Sequence, residues 1–123
     1  MRTVEFTIPY KITGKDSLNE IYAGKHWGGR STYKEKMHIF LQSELRRQGI
    51  PKKLYRNQVK ITFLWSGRLD LDNYGYLRKL IIDSLKGWIL PDDNKKYVKK
   101  LCDEFSNNDV TTVIVEELSC QTK

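Results

Sequence analysis

Asp70 and Asp72 stand two residues apart in the stretch Arg68-Leu69-Asp70-Leu71-Asp72-Asn73, just past an alternating apolar run. In an extended backbone, residues i and i+2 point to the same side, so the two carboxylates converge on one point. Like charges held together repel and raise one another's pKa. A divalent cation removes that penalty, and Mg²⁺ takes a few carboxylate oxygens while keeping several waters. The chain returns with a second acidic pair in Pro91-Asp92-Asp93-Asn94. Carboxylates around such a cation can activate a water and stabilise both oxygens of an in-line phosphoryl displacement. The competing readings are plain ones: Asp70 and Asp72 as caps of the following helix, and Asp92-Asp93 as a turn.

Lys79 is the cation expected beside these acids. It follows Asp72 by seven residues, nearly two helical turns, and so shares its face. Asp83 comes four residues later and can pair with it. Lys79 then either meets a phosphate and its developing charge or forms an ordinary surface ion pair.

The elements that must position these residues can be read from periodicity. Thr3 to Tyr10 alternates, with Val4, Phe6, Ile8 and Tyr10 on one side, and predicts a half-buried strand. Lys11 to Arg30 contains Gly14, Gly24, Gly28 and Gly29 without a sustained period and reads as a long loop. Thr32 and Glu35 make a capping-box pattern. Tyr33, Met37, Phe40, Leu41 and Leu45 then form one apolar stripe, opposite Lys34, Lys36, Arg46 and Arg47, until Gly49 and Pro51 stop the helix. Val59, Ile61, Phe63 and Trp65 share one face of the clearest strand, which ends at Ser66-Gly67. A second helix is expected from Asp72 to Lys86, closed by Gly87. Two closing strands are expected over Tyr97 to Phe105 and Val110 to Leu118, joined by a hairpin turn at Asn107-Asn108-Asp109. The order strand, helix, strand, helix, strand, strand predicts an α/β sandwich, in which a small mixed β-sheet carries two main helices on one face. Neither a repeat nor a linker interrupts it.

The chain of 123 residues is long enough for one domain and one modest core, and a homodimer would widen its narrow stability margin. It carries 22 Lys and Arg against 15 acidic residues, a net charge of +7. That surplus favours a polyanionic partner, nucleic acid before an acidic membrane surface. Cys102 and Cys120 have no metal-type spacing. Neither a leader segment nor an apolar run long enough to span a bilayer is seen, so a reducing cytoplasm is the expected setting.

Lys25-His26-Trp27-Gly28-Gly29-Arg30 is basic, aromatic and glycine-rich. Trp27 can stack on a base, while Lys25, His26, Arg30, Lys34 and Arg68 are placed to meet DNA. Trp27 is equally well read as a core anchor, and His26 has no partner at metal-ligand spacing. Lys52-Lys53, Lys95-Lys96 and Lys99-Lys100 read as solvated faces that add salt-sensitive, non-specific affinity.

With these residues in place the chain resembles the RusA family of Holliday-junction resolvases. The matches are Asp70-Leu71-Asp72-Asn73, Lys79, Asp83-Ser84-Leu85, Trp88 and Asp92-Asp93, with looser likeness at Ile8-Pro9, Leu18-Asn19 and Tyr22. The resemblance implies a homodimeric endonuclease that uses Mg²⁺, or Mn²⁺ in its place, and resolves four-way DNA junctions by paired symmetric nicks. It implies that Asp70, Asp72 and Asp93 bind metal and are catalytic, with Asp92 as the alternative to Asp93. It further implies that Lys79 is the catalytic lysine, supported by Asn73 and Asp83. It also suggests a bacterial, phage or prophage origin. The family's lysine usually follows the second Asp by four residues. Tyr76 stands there in this chain, and a short insertion around Tyr74-Gly75-Tyr76 displaces the lysine to Lys79. Two other functions compete: a branched-DNA-binding protein without catalysis, and an aspartate-nucleophile phosphatase. The phosphatase would place its Asp-x-Asp near the chain start, within a larger doubly wound sheet.

Overall fold

The computed structural model describes residues 2–9, 27–66, 74–107 and 109–118, with 27–33 described by backbone alone. Its elements are β1 (Thr3–Ile8), α1 (Trp27–Arg47), β2 (Val59–Trp65), α2 (Gly75–Leu85), β3 (Val98–Phe105) and β4 (Thr111–Glu117). They form a small α+β fold: a four-stranded mixed sheet in the order β1-β4-β2-β3, with two helices. The expected element order and the mixed sheet are both observed.

Alternation decides which face of the sheet is covered. Val4 and Phe6 of β1 lie opposite Val115 and Val113 of β4, which lie opposite Ile61 and Phe63 of β2. These six are buried and share one core cluster with Met37, Leu41 and Leu45 of α1 and Leu77, Leu80, Ile81 and Leu85 of α2. Their burial from water is the principal favourable term of the fold. The opposite face carries Thr3, Glu5, Lys100 and Glu104, all exposed.

Strand pairing departs from the expected closing hairpin. β3 and β4 are not neighbours, because β2 lies between them, parallel to β3 and antiparallel to β4. The chain after β3 therefore leads across the end of β2 and makes no two-stranded turn. Burial gives the reason. β2 is almost wholly buried and needs a strand on each side, whereas β3 is mostly exposed and suits an edge. The parallel pairing of β2 and β3 needs a crossover, which α2 supplies.

Helix α1 also begins earlier than its capping-box pattern predicts. It starts at Trp27 and includes Gly28, Gly29, Arg30 and Thr32, so Thr32 stands inside the helix and not at its cap position. Gly28 and Gly29 are no barrier, because a glycine costs only about 1 kcal/mol in a helix. At the other end the expected stop holds. Gly49 has φ 74°, and the N–H groups of Gly49 and Ile50 donate to the carbonyls of Arg46 and Leu45, a Schellman closure. Gln48 then reaches the edge of β1, where its side-chain amide both donates to and accepts from the Thr7 backbone at 2.8 and 2.9 Å.

Among the described residues no helix is long and apolar enough to cross a membrane. Cys102 is a half-buried free thiol, and Cys120 lies outside the described residues.

Candidate active site

Asp70, Asp72, Asn73 and Arg68, with Lys25 and His26, lie outside the described residues. So do Leu18-Asn19 and Tyr22. The flanks of the 67–73 stretch are described, and both meet β2 at its end. Ser66 is tied to Thr111, its N–H donating to Oγ1 at 3.1 Å. Tyr74 stacks on Trp65 with ring centroids 4.2 Å apart. Trp65 in turn stacks on Phe63 and donates its indole N–H to Asp103 Oδ1 at 2.9 Å. Arg78 of α2 completes this anchor with a two-pronged pairing to the Asp103 carboxylate, at 3.1 and 2.8 Å. The first turn of α2 is thereby clamped to β2 and β3.

The cap position of α2 belongs to Tyr74, with no side-chain cap hydrogen bond. The helix thus begins three residues later than Asp72, and neither Asp70 nor Asp72 occupies its cap position. Tyr74 and Tyr76, on either side of Gly75, are both buried in the core. Tyr76 therefore occupies an interior position, while Lys79, three residues on, is exposed.

Lys79 heads a strip of alternating charge on one face of α2. Its ammonium lies 3.3 Å from Asp83 Oδ2, at the predicted i,i+4 spacing. Lys86, three residues past Asp83, lies 3.4 Å from Asp83 Oδ1 and 3.5 Å from Asp93 Oδ2. Lys86 thus joins the returning acid Asp93 to the helix. Burial alone would depress the Lys86 pKa, but the two carboxylates outweigh it and hold the ammonium above its ordinary range. Among the described residues, the buried Asp83 Oδ1 receives no hydrogen bond and its close cation is Lys86.

The segment between Lys86 and Asp93 is fixed by the fold. Gly87 adopts φ 80°, and Trp88, Ile89 and Leu90 all donate their N–H groups to the Leu85 carbonyl at 3.0 Å. Trp88 is buried and donates its indole N–H to the Ile50 carbonyl at 3.0 Å. Beyond Pro91 the two aspartates diverge. Asp92 accepts the Asp93 N–H at 2.8 Å and the Asn94 side-chain amide at 3.4 Å. The Asp93 N–H holds the Asp92 carboxyl below its usual range. Asp92 is therefore engaged inside its own turn, and Asp93 is the one that faces Lys86.

The strip has a length. From Gly75 to Asp83 the helix rises by about 12 Å, so Asp93 is held at the opposite end of α2 from the residues that follow Asp72. Among the described residues no group of three or more His, Cys, Asp or Glu is arranged to hold a metal ion. A full ligand set would need Asp70 and Asp72 in addition to Asp93.

Other predicted residues fall elsewhere. Trp27 and Arg30 belong to the first turn of α1, not to a loop, and Lys34 is exposed on the same helix. Sequence reasoning missed Lys86, Arg78 and Asp103. Lys86 was discoverable, since its i,i+3 step from Asp83 shares the strip's face. Asp103 was signalled only by being acidic at a helix-facing position of a lysine-rich strand. A scan against protein-family models found no match to this chain, and a search of curated proteins found none either.

Proposed function

We propose that the protein is a metal-dependent endonuclease acting on branched DNA, with the four-way junction as its substrate. The observation that carries this reading is the joining of Asp93 to Asp83 and Lys79 through Lys86, on the helix that follows Asp70-Leu71-Asp72-Asn73. Four residue groups matched to the RusA pattern thus belong to one helix and the turn that returns to it.

In this reading Asp70, Asp72 and Asp93 hold Mg²⁺, which when bound supplies charge neutralisation and a more acidic water. Lys79, exposed and tethered only at the surface, meets the phosphate and stabilises its developing charge. Asp83 and Lys86 orient Lys79 and Asp93. The separation along α2 sets a requirement. Either the 67–73 stretch reaches back along the Lys79 face, or a second copy supplies one of the carboxylates. A homodimer serves the latter and also matches a roughly twofold junction.

The Lys86 ammonium between Asp83 and Asp93 is what favours the second reading, a branched-DNA binder without catalysis. An internal cation there competes with an external one. The Asp70→Asn variant separates the two. Loss of cleavage with junction binding retained supports a ligand role; equal loss of both in a folded variant contradicts it.

A further inference from the structure

Among the described basic residues, two groups contrast. Arg47, Arg78, Lys79 and Lys86 each meet a carboxylate within 3.5 Å. Lys52, Lys53, Arg56, Lys95, Lys96 and Lys99 are all exposed, and among the described residues none forms an ion pair. These six lie in two segments, and the chain just past the first is bound to the second. Gln58 donates its side-chain amide to the Lys95 carbonyl at 2.8 Å, and the Val59 N–H donates to the Tyr97 carbonyl at 2.9 Å.

The segment carrying the first three is held in place by its backbone. The Lys53 carbonyl accepts from the Arg2 guanidinium, which lies 4.5 Å from the Tyr55 ring centroid. Tyr55 donates its N–H to the Ile89 carbonyl and its hydroxyl to the Val115 carbonyl, both at 2.8 Å. Two of the ammonium groups rest over aromatic rings, Lys52 over Trp88 at 5.2 Å and Lys96 over Tyr97 at 5.6 Å. Such stacking places a cation without neutralising it. The nearby acids are engaged elsewhere: Asp92 in its turn, Asp93 with Lys86, and Glu117 with the Arg2 N–H and Asn57.

Gathering like charges without a fixed counter-charge costs self-repulsion, which salt screens in part and a polyanion of matching extent relieves more fully. Duplex DNA presents about one charge per 1.7 Å of axis. We propose that the rim formed by residues 52–56 and 95–99 is a DNA-binding surface that holds a duplex arm by its phosphates, without reading sequence. The rim continues directly from Asp93 through Asn94, so an arm lying on it leads to the candidate acid. This inference rests on the nuclease reading and assigns its non-specific binding surface.

The test uses the full chain with Lys52→Gln, Lys53→Gln, Lys95→Gln and Lys96→Gln combined, its folding checked by circular dichroism. Binding of labelled linear duplex and of a four-way junction is followed by fluorescence anisotropy between about 50 and 200 mM salt. The slope of log affinity against log salt should shrink by about 0.9 for each phosphate no longer neutralised, hence by roughly 2–4 for four lysines. Arg47→Gln, which removes a cation already paired to Glu44, should leave the slope unchanged. A wild-type slope in the quadruple variant overturns the proposal while leaving the nuclease reading intact. Tighter binding to duplex RNA, or binding only to anionic vesicles, overturns the DNA assignment. A wild-type protein that binds no DNA overturns both readings.

Discussion

The cations on α2 and the cations on the 52–56 and 95–99 rim are treated in opposite ways by the fold. Along α2 and at its end each cation meets a carboxylate: Arg78 meets Asp103, Lys79 meets Asp83, and Lys86 meets Asp83 and Asp93. On the rim the charges meet ring faces or solvent, while their backbone is tied down by Arg2, Gln58 and Tyr55. Paired charges fix geometry, because each holds its partner in one orientation. Unpaired charges on a fixed backbone are available to an outside anion. The contrast separates a region suited to positioning acids from a region suited to holding a phosphate backbone.

The largest expected effect comes from breaking the first region at the end that carries Asp93. Asp93→Asn should slow junction cleavage by about 100-fold or more, roughly 2.7 kcal/mol of barrier. Binding should stay within about twofold, because the rim is untouched. Next is the anchor of α2. Asp103→Ala strips the Arg78 guanidinium and the Trp65 indole N–H of their shared acceptor and should cost about 2–3 kcal/mol of stability in urea unfolding. Asp103→Asn, which still offers an acceptor to Trp65, should cost clearly less. Equal losses for the two would mean that the charge on Asp103, and not its hydrogen bonding, holds the helix.

Lys79→Met sharpens the distinction within the strip. The Lys79 pair with Asp83 is exposed on the lysine side, so its loss should leave unfolding unchanged. Cleavage should still fall roughly tenfold if the ammonium meets the phosphate. An unchanged rate would move Lys79 into the class of surface ion pairs.

The smallest effect belongs to the support of the rim. Burial pushes the Tyr55 phenol up to about 12, above its ordinary 10. The folded state therefore favours the neutral phenol. The stability this contributes is complete below pH 10 and is lost as pH rises to about 12. Tyr55→Phe should remove that pH dependence and cost about 1 kcal/mol at neutral pH, because the bond to Val115 is gone. A variant with the same alkaline decline as wild type would assign the decline to another group.

How much of this is visible in the sequence follows from what kind of signal each feature leaves. β2 is legible because Val59, Ile61, Phe63 and Trp65 alternate without a break. The stop of α1 is legible because Gly49 supplies a left-handed residue that few others adopt. The start of α1 is not. Thr32 and Glu35 satisfy a local capping pattern, yet a helix can continue through Gly28 and Gly29 when a longer stretch supports it. The pairing of β4 with β1 and β2 is hidden for a different reason. Asn107-Asn108-Asp109 is good turn chemistry whether the next strand folds back or crosses over, and only the burial of β2 decides. In the candidate site the i,i+4 pair of Lys79 and Asp83 is readable from spacing alone. The choice between Asp92 and Asp93 is not, because it depends on Asp92 closing its own turn. Lys86 and Asp103 act across the fold, where spacing along one helix or strand carries little information.

The central claim, that this chain cuts branched DNA, is tested most directly by incubating wild-type protein with an end-labelled four-way junction and with linear duplex, with and without Mg²⁺. The account predicts paired nicks on opposite strands of the junction, only with Mg²⁺ and with linear duplex spared. Tight junction binding with no cut strand at any Mg²⁺ concentration would contradict it.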